Sequence, residues 1–175
     1  MLIKWIQCQV KENSRDAFSK GQQEWKPLTN VEGFIAQFGG WNITNPNEAC
    51  ILALWKNEET YKSFMKNHHD SIYEQTKQQG TYDHIKVQLF QSKHVINEHI
   101  PTNTPFLFVT EMVVQNDLSS LPDWYIVGYQ KQQVARYLIV ELEDRKKLTH
   151  LKEVLSFETK QIRLEPTWYL MDKKQ

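Results

Sequence analysis

The sequence predicts an α+β fold whose first half runs β-α-β-β-α-β. Three observations carry that expectation. Apolar strand-like runs occur at LIKWIQCQV, GFIAQFGGWN, EACILALW and TYDHIKVQLFQ; apolar residues recur at helical spacing after the first and third of these; and turn-forming residues join the second to the third.

In the first run Ile3, Trp5 and Gln7 alternate with Leu2, Ile6, Cys8 and Val10, so the strand is apolar on most of both faces and is expected to be covered on both. In NSRDAFSKGQQEWKPL, Asn13 or Ser14 caps a helix on which Phe18, Trp25 and Leu28 return, and Pro27 discourages continuation. The Asn42–Asn47 segment, NITNPN, joins the next two runs as a β-hairpin. A second helix then starts at Asn57, whose side chain can accept from the Thr60 N–H, while Glu58 and Glu59 put negative charge on the positive end of the helix dipole. Tyr61, Phe64, Met65, His68 and Ile72 fall on one apolar stripe, which places His68 inward and His69 mostly outward. Gly80 closes this segment, and a fourth strand follows with Ile85, Val87 and Leu89 on one face.

That order is the ferredoxin-like βαββαβ unit, an antiparallel four-stranded sheet with both helices on one face. The expected division is a first domain at 1–91, a polar linker at 92–104 (SKHVINEHIPTNT) and a second α+β unit at 105–175. A shift of 87 positions sets Ile51, Ala53 and Trp55 over Leu138, Val140 and Leu142. It also sets Asn57 over Asp144, Tyr61 over Leu148, Phe64 over Leu151 and His68 over Leu155. Any strand-cap-helix unit aligns in this way, so a degenerate repeat and a chance match both stay open. As a repeat, the second unit is a truncated ferredoxin-like fold, because QNDLSSLPD leaves room only for a turn where the first helix belongs. The free sheet faces of the two halves then pack within one chain as an intramolecular barrel; otherwise two copies pack as a homodimer.

Composition narrows the function. Lys plus Arg and Asp plus Glu are equal at 21 each, which leaves no electrostatic footprint for nucleic acid. No run approaches a membrane span and the N-terminus lacks a signal-peptide pattern, so a cytosolic (cytoplasmic) chain is expected. Cys8 and Cys50 sit in strands as reduced core thiols, and His68 and His69 lack the four-residue spacing of helical metal ligands, so neither a metal nor another cofactor is expected. There is no phosphate-binding glycine loop and no nucleophile elbow.

Across 1–91 the element order, with Trp55 ending a strand, a short turn at Asn57–Thr60 and then Tyr61 and Phe64 on a helix, resembles the dimeric α/β-barrel superfamily of antibiotic-biosynthesis-type monooxygenases and haem-degrading enzymes. More closely, "LIKWI", "GGWN" and the "HD" pair are similar to a group of uncharacterised Bacillus proteins of the YdbC type. The resemblance implies a small hydrophobic pocket between sheet and helices, used for binding or for cofactor-free oxygen chemistry. The haem-degrading members' Asn, Trp and His are replaced by Gln7, Phe64 and the stretch from Glu74 to Thr76, which argues against haem degradation.

The candidate pocket residues are Trp5, Phe18, Trp55, Tyr61 and Phe64, with His68 and Gln7 as the catalytic candidates. His68 can serve as a core or helix-end partner, or project into the pocket to move a proton; Gln7 can meet His68 or a ligand. His69 beside Asp70 is a weak pair, since adjacent helical side chains diverge by about 100 degrees. The expected function is binding of a small apolar or aromatic molecule with monooxygenase-like chemistry; the alternative is a non-catalytic interaction or stress-associated scaffold. Whether the pocket is open or filled by its own side chains separates the two.

Overall fold

The two-faced apolar strand becomes β1 (Leu2–Val10), which pairs antiparallel with β3 (Glu48–Trp55) on one side and β4 (Tyr82–Gln91) on the other. The computed structural model describes residues 1–92, 105–113, 125–130, 136–141 and 159–172. β2 (Phe34–Asn42) forms the expected hairpin with β3, and the Asn42 side chain braces the turn by accepting from both N–H and O–H of Thr44. The second half contributes β5 (Phe106–Val113), β6 (Tyr125–Gln130), β7 (Arg136–Glu141), β8 (Thr159–Leu164) and a short β9 (Leu170–Met171).

The strands run in the order β3-β1-β4-β6-β7-β5-β8-β2-β9, and β2 pairs again with β3, so eight of them close into a ring within one chain. Both halves follow one plan: β4-β1-β3-β2 in the first and β8-β5-β7-β6 in the second. Their seams are equivalent, since the second strand of each half meets the fourth of the other, β2 on β8 and β4 on β6. At each seam a glycine permits the approach. A Cβ on Gly40 would lie 1.9 Å from the Arg163 carbonyl oxygen, and one on Gly128 would lie 2.6 Å from Phe90 Cβ.

The ring encloses an apolar core of Ile3, Trp5, Phe38, Cys50, Leu52, Leu54, Phe90, Leu107, Val109 and Ile162. Towards one end the interior turns polar. Trp5 Nε1 donates to Glu111 Oε1 (3.0 Å), and Lys86 Nζ and Gln88 Nε2 donate to Oε2 (3.1 and 3.2 Å). Lys160 Nζ bonds both oxygens of Glu48 at 2.7 Å. Hydrogen bonding sets the Gln7 amide between these clusters, its nitrogen 3.1 Å from Glu111 Oε1 and its oxygen 3.2 Å from Lys160 Nζ.

On the outer face of the first four strands lie α1 (Arg15–Gln23), α2 (Glu58–Asn67) and α3 (His69–Thr76). They cover the sheet with Phe18, Tyr61, Phe64 and Ile72. Asn57 caps α2 as expected, its side chain accepting from Thr60 N–H at 2.9 Å. Two expectations are corrected. The first helix ends at Gln23, and Lys26–Asn30, with Pro27 near its start, forms a separate 3₁₀ turn. The second helix breaks at His68 (φ −132°, ψ −30°) in the run Asn67-His68-His69-Asp70-Ser71, whose side chains compete for backbone groups; the Ser71 hydroxyl donates to the His68 carbonyl at 3.0 Å. Beyond β8 the chain makes a 3₁₀ turn, Pro166–Trp168, and then the two-residue β9. The residues set over the second helix, Asp144, Leu148, Leu151 and Leu155, and the turn QNDLSSLPD lie outside the described residues.

Burial pushes the Glu111 carboxyl up, but hydrogen bonds from Lys86, Trp5 and Gln88, with the Lys86 charge, outweigh it and hold the group below its ordinary value. Its stabilising effect is therefore present above the ordinary carboxylate range and lost as pH falls through the lowered folded value. Glu111→Ala removes the acceptor of four donors, on Trp5, Gln7, Lys86 and Gln88, and is expected to cost about 2–4 kcal/mol in urea unfolding at neutral pH. The gap from the unsubstituted chain narrows on acidification; a gap unchanged down to the acid limit contradicts this assignment.

Candidate functional site

Because α1, α2 and α3 leave β4 largely uncovered, the space between them and the sheet stays open on one side, where Ile85 and Val87 are 51% and 45% exposed. The resulting cavity has a volume of about 480 Å³. Ile6, Cys8, Ile51 and Ala53 form its floor with Lys4 and Gln37, and Phe18, Leu28, Tyr61, Phe64 and Met65 roof it from the helix side. Small Ala53 lies opposite Lys4 across β1 and opposite Gln37 across β2, so the middle of the floor is low. Trp55 stacks on Phe64 at 4.8 Å between ring centroids, making a flat wall.

The rim carries a second aromatic group. Trp25, His69 and Tyr73 follow one another, with His69 and Tyr73 nearly parallel (8°) at 6.0 Å, and the Tyr73 and Tyr82 hydroxyls are 2.8 Å apart. Trp25 Nε1 donates to Gln78 Oε1, while the Gln78 amide nitrogen is held by Phe18 O and Gln22 Oε1. These polar groups are thus saturated. Trp55 Nε1 and Gln37 Nε2 find no acceptor, but neighbouring atoms cover both.

Lys4 is the unusual group. Its Nζ lies over the Tyr61 ring, 5.4 Å from the centroid, with no carboxylate or hydrogen-bond acceptor among the described residues. Burial lowers its pKa from 10.5 to about 8, only partly opposed by Cys8. The Cys8 thiol is itself pushed up to about 12 by burial and Cys50 higher still, so both free cysteines are inert.

Of the residues expected in the pocket, Phe18, Trp55, Tyr61 and Phe64 line it. Trp5 does not: it is fully buried inside the ring. Gln7 shares that inner face, where Glu111 and Lys160 hold it, so it meets neither the cavity nor His68. His68 is exposed at the helix break and points away. His69 takes the inward place instead, because the irregular residue at 68 shifts the following turn. The weak pair does form: His69 Nδ1 lies 2.8 Å from Asp70 Oδ1, at the first turn of the new helix. Sequence reasoning missed Lys4 and His69. The signal for Lys4 was present, since a strand expected to be covered on both faces cannot hold a lysine in water. Among the described residues no group of three or more His, Cys, Asp or Glu is placed to hold a metal, and no helix is long and apolar enough to cross a membrane.

Residues 2–90 match the model of a family described as a domain of unknown function, DUF4937. The uncharacterised protein YdbC of Bacillus subtilis (strain 168) is 36% identical over 129 residues, 73% of this chain and 98% of the relative. Among solved structures, a presumed monooxygenase from Lactobacillus acidophilus NCFM superposes with a TM-score of 0.60 at 11% identity, covering 97% of this chain and 95% of that one. Another from Fusobacterium nucleatum subsp. nucleatum ATCC 25586 gives 0.57 at 9% (93% and 91%), and an anthrone oxidase-like protein 0.52 at 8% (94% and 91%). At these identities the likeness is one of fold, over nearly the whole chain.

Lys4→Met removes a desolvated charge and is expected to stabilise the fold by about 1–3 kcal/mol at pH 7. The native state sheds the Lys4 proton near pH 8 and the unfolded chain near 10.5, so the wild type gains stability with rising pH across that window. The advantage of Lys4→Met therefore shrinks between pH 8 and 10.5 in thermal melts; a less stable variant, or a pH-independent gap, contradicts the placement.

Proposed function

The chain belongs to the DUF4937 family, and from that membership together with the open cavity we propose that it binds a small, mainly apolar aromatic molecule there and oxidises it with dioxygen without a cofactor. The observation that carries the reading is the cavity itself, which is of ligand size, walled by flat aromatic rings and not filled by its own side chains. A non-catalytic scaffold has no use for such a space. The fold shared with presumed monooxygenases supports the oxidative half of the reading.

The chemistry asks little of the protein. A methylene made acidic by flanking aryl and carbonyl groups loses a proton to a base; the carbanion passes electrons to dioxygen; R₂CH₂ and O₂ become R₂C=O and H₂O. His69 is the base in this reading, because Asp70 at Nδ1 orients the ring and leaves Nε2 free to accept. It takes the role expected of His68.

Anthrone, a flat tricycle with one such methylene, suits the test, as does its mention in the description of one structural neighbour. Saturable quenching of tryptophan fluorescence is expected, with one O₂ consumed per ketone formed. Ala53→Leu, which pushes its side chain into the void, is expected to weaken binding at least tenfold. His69→Ala is expected to lower turnover about a hundredfold with binding retained. No saturable quenching by any aromatic of one to three rings would overturn the proposal; binding without oxygen uptake would remove its oxidative half.

A further inference from the structure

We propose that the cavity's ligand is a weak organic acid, a phenol or enol, bound as its anion with the negative oxygen against the Lys4 ammonium. This rests on the cavity reading above and names its substrate class.

The argument is one of unpaired charge. The other sheltered lysine among the described residues, Lys160, has a carboxylate, bonding both oxygens of Glu48, and even the exposed Lys86 bonds Glu111. Lys4 has none. Its floor position between Ala53 on β3 and Leu89 on β4 puts its head against the Tyr61 ring face, and no aspartate or glutamate lines the cavity among the described residues. A cation taken out of water without an anion is costly, and proteins normally supply one. Here the open side of the cavity leaves that place to a ligand.

The other titratable groups around the cavity are Cys8 on β1, Tyr61 on α2, His69 and Tyr73 on α3 and Tyr82 on β4. None competes for the ammonium as an anion at neutral pH, since burial raises the Cys8, Tyr61 and Tyr82 values. The lowered value of Lys4 agrees with a head group lacking its partner. Proton balance is simple. When the amine is neutral, the ligand's O–H proton moves to Nζ; when it is already charged, that proton goes to water. Either way an ion pair forms among aromatic walls, and the ligand is held in the electron-rich form that reacts with dioxygen.

The test uses 4-nitrophenol, whose absorbance separates phenol from phenolate, with nitrobenzene as its neutral counterpart. In a buffer one unit below the phenol's own pKa, the protein is expected to bring up the phenolate band, with nitrobenzene bound at least tenfold more weakly. Lys4→Met should lose the band and at least tenfold in nitrophenol affinity while nitrobenzene binding and circular dichroism hold. Lys4→Arg, which keeps a cation, should retain the band. Nitrophenol bound without the band, or a band that survives in Lys4→Met, overturns the inference. If nitrobenzene binds as well as nitrophenol, the cavity reading stands and this inference falls. If neither binds, this inference falls, and the cavity reading falls with it once aromatics of two and three rings also fail to bind.

Discussion

Closure of one antiparallel sheet on itself is the constraint from which the other features follow. A four-stranded ferredoxin-like sheet covers one face with helices and leaves the other bare, and two such bare faces must find each other. Here they do so within a chain, through two equivalent seams that bring backbones close enough to require Gly40 and Gly128. Once the ring is closed, every residue of β1 lies under cover on one side or the other. Trp5 and Gln7 are committed to the interior, and Lys4, Ile6 and Cys8 to the helix layer.

The two sides of β1 treat charge in opposite ways. At the polar end of the ring, Glu48, Glu111, Lys160, Gln7 and Trp5 satisfy one another, with Lys86 reaching Glu111 from the exposed rim, and the bonds cross between the halves of the chain. Such a network has structural value because each member would be costly alone. On the helix side, the Lys4 ammonium faces the Tyr61 ring and, among the described residues, no acid. A charge left unmatched in an open cavity is an expense in stability that a purely structural design avoids, which is why the ligand reading rests on it.

The break at His68 matters for the same reason. A continuous helix would bring His68 onto the sheet and turn His69 to solvent. One non-helical residue reverses them and sets a new first turn, in which His69 and Asp70 meet. The rim of the cavity, with Trp25, His69 and Tyr73 layered together, depends on that single irregularity.

Local pattern determined much of this protein. Alternation in LIKWIQCQV specified a strand buried on both faces, NITNPN a hairpin, and Asn57 with Glu58 and Glu59 the start of a helix. Four aromatic wall residues, Phe18, Trp55, Tyr61 and Phe64, were legible because period and cap fix which way they point. Tertiary structure decided the rest. Which face of β1 looks into the ring and which into the cavity depends on where the second sheet docks, and alternation cannot say, since both faces are apolar. The inward histidine depends on one backbone break, to which helical periodicity is blind. The standing of Lys4 depends on what surrounds it: a lysine's environment is set by residues distant in the chain, and only their assembly shows that no carboxylate is among the described ones.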